Sequence, residues 1–378
     1  MKKRRIVISI NTSWNIINFR AGLIKALIEQ GYEVVAVAPE DEYSLRLEEI
    51  GCRFLPLPMD NKGTSPLRDF ILLFNYWRLL QREKPDAFLG YTIKPNIYGS
   101  LAAHALGIPV INNIAGLGTA FISDNLLTKF VKLLYRLALS RSQMVFFQNK
   151  DDHSLFIKMK LVRSQHTGVL AGSGIDLEQF QPAGDTTPVS EEPFLFLLVA
   201  RLLWDKGVGE YVEAARIVRA SAINAKFQIL GFLDVENRTA VERKVVDRWV
   251  EEGTIEYLGQ TDDVRPFIAA SHCVVLPSYR EGTPRSLLEA AAMGKPLIAT
   301  DVAGCRDVID NGENGFLCQV RDPDHLAQRM LELITLPDDK REAMGKASRK
   351  KAELEFDERI VAGHYLATLE DIFSKSGN

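Results

Sequence analysis

The chain has 378 residues, too many for one compact core and enough for two domains. Its 46% hydrophobic and 25% charged content is that of an ordinary soluble globular protein, and no apolar run reaches the roughly 18–20 residues of a spanning helix. The formal charge of −3 is uneven: residues 1–180 carry 22 Lys+Arg and 16 Asp+Glu, and the rest carry 24 and 33. A basic half joined to an acidic half suggests that the first meets something anionic, such as a phospholipid surface or a pyrophosphate.

Lys2-Lys3-Arg4-Arg5 resembles the start of a signal peptide, but Ile6–Ile10 is too short for its apolar core. Cys52, Cys273, Cys305 and Cys318 show no paired spacing, so neither a zinc site nor a disulfide framework is expected and a reducing compartment fits. None of the six histidines has metal-ligand spacing with another. No metal, cofactor or nucleic-acid partner is expected.

Taken in order, Arg5–Ile10 reads as a buried strand, Phe19–Gln30 as a helix closed by Gly31, and Tyr32–Ala38 as the next strand. The alternation continues with a helix near 43–50, a strand at 53–57, a helix at 67–82, a strand at 87–91, a helix at 97–106, a strand at 110–114, an amphipathic helix over 121–142 and a strand at 144–148. This predicts a doubly wound α/β domain with a parallel sheet. Residues 181–193 read as a linker. A second series follows: strand 194–199, helix 208–220, strand 226–230, helix 236–252, strand 254–257, a strand at Val274, a helix from Ser286 and a strand at 297–299. The fold class is therefore α/β, with two tandem Rossmann-like doubly wound domains facing across a cleft. The expected domains are 1–180, with the C-terminal helix 357–378 packing back on it, and 194–356.

The richest stretch is Leu276-Pro277-Ser278-Tyr279-Arg280-Glu281-Gly282-Thr283-Pro284-Arg285-Ser286. A buried strand turns at Glu281-Gly282 and enters a helix, with Thr283 expected as N-cap and Pro284 at the first helical position. The helix N-terminus suits a phosphate. Glu281 and Glu289 flank it; because carboxylates do not bind phosphate, they point to sugar hydroxyls or a developing cation. Arg285 at i−4 from Glu289 also fits a simple salt bridge. Arg201 and Lys206 follow the second domain's first strand, in Ala200-Arg201-Leu202-Leu203-Trp204-Asp205-Lys206-Gly207, and suit a leaving diphosphate. The plainer reading pairs Lys206 with Asp205 or Glu210.

In the first half, Asn112-Asn113-Ile114-Ala115-Gly116-Leu117-Gly118-Thr119 ends a strand with small residues, and Gly116 permits close approach of a ligand. Lys94 follows the preceding strand and suits an acceptor phosphate, but fits a solvated surface lysine at least as well. Lys129, Lys132, Arg136 and Arg141 lie among apolar residues of 121–142, a pattern open to an interfacial helix, although by periodicity alone a core helix with a solvated basic face is the better reading. Aromatic residues over 67–82 favour the membrane reading.

These motifs together resemble glycosyltransferase family 4, whose members have two Rossmann-like domains and retain anomeric configuration. The carrying residues are Glu281-x7-Glu289, the Arg201–Lys206 pair, Gly174-Ile175-Asp176 with Phe180 and Pro182, and Asn311-Gly312-Glu313-Asn314-Gly315-Phe316-Leu317 read as a late Gly-rich loop. Phe19-Arg20 and the surroundings of Arg201 and Glu281 resemble the polyprenyl-diphosphate-sugar branch. The resemblance implies that Arg201, Lys206 and the backbone of Gly282, Thr283, Pro284, Arg285 and Ser286 hold a donor diphosphate. It implies Glu289 at the ribose, Gln260 and Thr261 by the base, Glu281 as the catalytic residue at the transferred sugar, and Gly116 on the donor. Arg20, Lys94 and Asn96 would serve the acceptor. The implied reaction moves a sugar, an N-acetylhexosamine, from a UDP-sugar to a polyprenyl-diphosphate-linked acceptor at the cytoplasmic, inner-leaflet membrane surface. Sugar-nucleotide epimerisation and non-catalytic nucleotide-sugar binding are the competing readings. Two positions depart from the family pattern: the loop Asn11–Asn15 has no glycine, and Ala115 stands where many members carry histidine, which removes a usual sugar contact.

Overall fold

The computed structural model describes residues 3–60, 65–116, 126–182, 193–235 and 237–375. They form two compact units, Met1–Gly174 with Glu358–Asn378, and Ile175–Asp357.

The first unit is a seven-stranded parallel sheet. Its strands are β1 (Arg5–Ser9), β2 (Glu33–Ala38), β3 (Arg53–Pro56), β4 (Ala87–Tyr91), β5 (Val110–Ile114), β6 (Met144–Phe147) and β7 (Thr167–Val169), in the order β3-β2-β1-β4-β5-β6-β7. The helices are α1 (Ser13–Glu29), α2 (Ser44–Glu49), α3 (Pro66–Glu83), α4 (Ser100–Ala105), α5 (Leu126–Leu139) and α6 (Lys150–Lys158). Strand alternation divides the core. Ile6 and Ile8 face α1, α2 and the C-terminal helix, while Val7, Val35 and Val37 face α3 and α4. β6 and β7 extend the sheet with a short edge strand that the sequence pattern did not reveal.

The second unit carries six parallel strands: β8 (Phe194–Val199), β9 (Ala225–Leu230), β10 (Glu256–Tyr257), β11 (Cys273–Leu276), β12 (Leu297–Thr300) and β13 (Gly315–Cys318), in the order β10-β9-β8-β11-β12-β13. Its helices are α7 (Val208–Ala220), α8 (Arg243–Glu251), α9 (Arg265–Ala270), α10 (Arg285–Ala292), α11 (Cys305–Val308), α12 (Pro323–Thr335) and α13 (Asp338–Glu355). Asp322 caps α12 by accepting from the His325 amide at 2.8 Å.

α14 (Glu358–Lys375) belongs to the first unit. Tyr365, Leu369 and Ile372 enter the core beside α1, and Gly22 leaves room for Glu358, whose carboxylate would lie 2.3 Å from a β-carbon there.

Several expected boundaries move. Residues 175–182 belong to the second unit: the Ile175 amide donates to Phe356 O at 2.7 Å, and Arg349 donates to Phe180 O at 2.8 Å. The change of unit therefore falls at Gly174–Ile175, earlier than the expected 180, and most of the expected linker, 183–192, lies outside the described residues. The helix expected over 236–252 begins only at Arg243. The preceding backbone is taken by the loop after β8, through Trp204 N to Thr239 O at 2.7 Å and Val241 N to Leu202 O at 2.9 Å. Asn311–Leu317 is a turn leading into β13 rather than a loop throughout, because Gly315 packs where a β-carbon would lie 2.1 Å from Leu297 O.

Candidate active site

Both sheets reverse strand order between their first and fourth strands, and open α/β sheets bind ligands at the carboxyl ends of such a pair. In the second unit that pair is β8 and β11. The loop after β8 carries Arg201 and Lys206, and the loop after β11 carries Glu281 and leads into α10. Topology alone thus brings the residues singled out from sequence to one edge.

The two loops are fastened together. The Tyr279 amide donates to Asp205 O at 2.9 Å, and the Ser278 hydroxyl donates to the same carbonyl at 3.1 Å. Lys206 Nζ donates to Glu281 Oε1 in an ion pair whose side chains are 22% and 11% exposed. Asp205 turns away and accepts from the Thr239 hydroxyl at 3.0 Å, and Glu210 accepts from the Tyr279 hydroxyl at 2.7 Å. Lys206 therefore pairs with neither of the acids nearest in sequence. Arg201 is exposed and has no ion-pair partner among the described residues.

Two glycines make the close approach possible. Gly207 has φ +70°, and a β-carbon there would stand 2.0 Å from Pro277 O; Gly304 has φ +80° and would meet Gly282 O at 2.0 Å. The Glu281 amide donates to Ala303 O at 3.3 Å, so the loop after β12 supports the turn from its other side. Gly304 was not singled out from sequence. Its only signal there is the run of small residues Val302-Ala303-Gly304 after a buried strand.

The helix after the turn begins one residue later than expected. Pro284, with φ −74° and ψ 115°, is extended and occupies the N-cap, so α10 starts at Arg285 and Thr283 lies before the cap. By helix geometry the Arg285 and Ser286 amides have no acceptor inside the helix, whereas the Leu287 amide donates back to Pro284 O at 3.1 Å. Arg285 Nε donates to Glu289 Oε1 at 3.1 Å, with both side chains mostly buried, and its guanidinium lies 5.8 Å from the Phe180 ring. The simple salt bridge is therefore formed, but it is not a surface one. Burial raises the Glu289 carboxyl above its ordinary range; Arg285 opposes the rise and Asp263 adds to it.

Gln260 and Thr261 follow β10. The Gly231 amide after β9 donates to Gly259 O at 2.8 Å, and the Thr261 hydroxyl donates to Asp263 O at 3.1 Å. They thus lie on the same carboxyl edge as Arg201, with Gln260 exposed.

In the first unit the switch point is β1 and β4, and here the expectations for Lys94 and Asn96 change. Lys94 is part-buried and ion-paired with Asp69 at 2.8 Å, which also accepts from the Tyr98 hydroxyl at 2.9 Å, so it is not the open cation expected. Asn96 is 1% exposed, donates to Asn113 O at 2.8 Å and accepts from Asn112 at 2.9 Å. It belongs to a buried network that also includes Ser142, Gln148 and Tyr365, and not to an accessible ligand surface. Arg20 is 5% exposed, with its guanidinium 4.4 Å from the centre of the Tyr91 ring, and has no ion-pair partner among the described residues. Gly116 follows β5 with φ 141°, and Leu117, Gly118 and Thr119 lie outside the described residues. The glycine-free loop after β1 is also explained: the Asp41 carboxylate accepts from the Ser13 amide at 2.9 Å and the Trp14 amide at 3.3 Å. An acid already occupies the α1 N-terminus, where a phosphate would otherwise sit.

Two doubly wound α/β units, one with paired cations and a flanking acid at its switch point, define the two-domain class of glycosyltransferase. Residues 185–351 match the family model described as glycosyl transferases group 1, and residues 18–171 match the glycosyl transferase 4-like domain. The chain belongs to glycosyltransferase family 4 and is a sugar transferase. It is similar to the N,N'-diacetylbacillosaminyl-diphospho-undecaprenol alpha-1,3-N-acetylgalactosaminyltransferase of Campylobacter jejuni, 28% identical over 93% of this chain and 94% of that one. It is also similar to the UDP-Gal:alpha-D-GlcNAc-diphosphoundecaprenol alpha-1,3-galactosyltransferase of Escherichia coli, 28% identical over 74% of this chain and 73% of that one. Among solved structures, Anabaena HepE in complex with UDP has the same fold, with TM-score 0.78 at 17% identity over 97% of this chain and all of that one. A Rickettsia africae glycosyltransferase likewise has TM-score 0.78 at 16% identity, over 99% of each chain.

Proposed function

We propose that the protein transfers a sugar, an N-acetylhexosamine, from a UDP-sugar to a saccharide carried on a polyprenyl diphosphate, with retention, at the cytoplasmic face of a membrane. The observation that carries this reading is the meeting of Lys206 and Glu281 at the β8–β11 switch point, on the sheet edge that also carries Arg201 and the start of α10. The names of the relatives supply the acceptor class, and one of them supplies a UDP-linked donor.

In this reading Arg201, Lys206 and the α10 amides receive the donor diphosphate. As the bond from the sugar C1 to the diphosphate oxygen lengthens, negative charge gathers on UDP and positive charge on C1. In this reading the cations and the helix end stabilise the first, and Glu281 stabilises or positions the second. Glu289 takes the ribose hydroxyls, and Gln260 and Thr261 border the base. Retention requires the acceptor hydroxyl to form its bond to C1 on the face that UDP leaves, its proton passing to the departing diphosphate oxygen. On the acceptor side, Lys94 is already paired with Asp69 and Asn96 is neutral and enclosed in its network, so we assign Arg20, which has no ion-pair partner among the described residues, to the acceptor's phosphates. No resident metal or cofactor is needed for these steps.

The test is transfer of radiolabelled sugar from a panel of UDP-sugars to a short polyprenyl-diphosphate-sugar. The wild type should form product only with acceptor present, and Lys206→Ala or Glu281→Ala should lose at least ~100-fold in rate while remaining folded, the usual scale for removing one charge-stabilising group. Full activity in either variant, or isomerised UDP-sugar without acceptor, would reject the reading.

A further inference from the structure

The first unit has a surface that the transfer chemistry does not use. On α3, Leu67 and Phe70 are 70% and 67% exposed, and Ile71 and Phe74 are about half exposed. These residues recur at i, i+3, i+4 and i+7, so they form one stripe along the helix. The stripe continues into Arg78 and Arg82, both exposed. Of the two carboxylates of α3, Asp69 holds Lys94, and the buried Glu83 holds Arg53 and also Arg82, so Arg78 is the cation of this stripe without an ion-pair partner among the described residues.

α5 repeats the pattern. Phe130, Leu133 and Leu137 are each half exposed, while Tyr135, Ala138 and Leu139 are buried. Leu126–Leu139 includes Lys129, Lys132 and Arg136 and no acidic residue. Arg78, Lys129 and Arg136 have no ion-pair partner among the described residues.

Both helices lie on one side of the sheet. The buried face of α3 packs with Val110 of β5, and that of α5 packs with Ile114 of the same strand. Residues four apart on a strand point the same way. α4 lies between the two helices and touches both. One layer of this unit therefore displays two apolar stripes edged by cations.

Single exposed leucines need no explanation, but seven large apolar side chains on two helices of one layer do. A protein partner of ordinary composition would leave the surrounding cations unmatched. An anionic bilayer matches both parts, since acyl chains accept the phenylalanines and leucines while lipid phosphates meet the arginines and lysines. A recess of about 590 Å³ between α3 and the Pro56–Pro58 turn, lined by Arg78 and Arg82, has room for a headgroup.

We infer that the α3–α5 layer is a docking surface for an anionic phospholipid membrane. The inference stands on this surface alone and does not require the acceptor assignment above. It is tested with the full chain and vesicles of phosphatidylcholine with or without one third phosphatidylglycerol. Binding should need the anionic lipid and weaken at least tenfold between 0.1 and 0.5 M NaCl. Phe70→Ser with Ile71→Ser should weaken vesicle binding at least tenfold, as should Arg78→Glu with Arg136→Glu, with melting temperature and UDP-sugar hydrolysis unchanged because these side chains lie outside the second unit's site. Equal binding to neutral vesicles, unchanged binding by both variants, or a dimer in solution that the Phe70→Ser, Ile71→Ser protein loses would overturn it, the last by giving the surface to a second copy of the chain.

Discussion

Lys206 and Glu281, 75 residues apart, form an ion pair that ties the loop after β8 to the loop after β11. A pair this sheltered is worth most when both members are present, because removing one leaves the other's charge poorly solvated. Glu281→Gln keeps the shape and removes the charge. It should lower kcat by ~100-fold or more with a shift of only a few degrees in Tm, whereas a purely structural pair would show the reverse balance. Measuring kcat and Tm on Lys206→Met, Glu281→Gln and the double variant separates these outcomes.

Gly207 is the hinge of that arrangement. Alanine there would combine a left-handed backbone with a β-carbon 2.0 Å from Pro277 O. Gly312 has a similar φ of +86° but nothing within 4 Å of its β-carbon site. Gly312→Ala should cost only the left-handed strain, about 1–2 kcal/mol. Gly207→Ala should destabilise more and weaken UDP binding, as the two loops must part. Urea unfolding and UDP titration on both variants would show it; equal losses would mean that the close approach is not what Gly207 supplies.

The sequence makes the frame legible because parallel strands buried on both faces read as continuous apolar runs, and Ile6–Ile10, Val34–Ala38 and Phe194–Val199 are such runs. Arg201, Lys206, Glu281 and Glu289 were legible because charged residues just beyond those runs must lie at the carboxyl edge. Contacts distant in sequence were not. Nothing near Lys94 announces Asp69, nothing near Thr239 announces Asp205, and the N-cap moved from Thr283 to Pro284 because proline fixes φ but leaves ψ open. Asn96, expected at the acceptor, lies instead in a network with Asn112 and Ser100 that its neighbours in sequence do not announce.

Tyr279 supports the turn from behind. Its hydroxyl donates to Glu210 at 2.7 Å, and Arg321 lies 4.5 Å from its ring centre. Burial and the Glu210 carboxylate push the phenol up to about 12, so it stays a donor at any working pH. The other Glu210 carboxylate oxygen is buried without a partner, so Tyr279→Phe strips that acid of the phenol's hydrogen bond. We expect a loss of about 1–3 kcal/mol in stability. The rate should fall through kcat more than through KM, since the Glu281 turn loses support while the phosphate contacts stay. Glu210→Gln alone, which can still accept from Tyr279, should keep most of the stability; a Tyr279→Phe protein with unchanged Tm and kcat would remove the phenol from this role.

Glu289 should make donor binding depend on pH at an unusually high value for a carboxylate. Burial raises its folded pKa above that of the unfolded chain, Arg285 limits the rise and Asp263 adds to it. Between the two values the folded protein holds a proton that the unfolded chain lacks, so this group stabilises the fold at low pH. That contribution is lost as pH rises through the folded pKa. If the ionised form receives the ribose hydroxyls, affinity for UDP follows the opposite course, weakening as pH falls through the same value. Glu289→Gln should therefore be less pH-sensitive in Tm on the acid side, and should bind UDP weakly at every pH. Calorimetric titration of UDP from pH 4.5 to 7.5 on both proteins checks this. Parallel pH profiles would mean that Glu289 serves only Arg285, and that the ribose is held by another group on the carboxyl edge of the sheet.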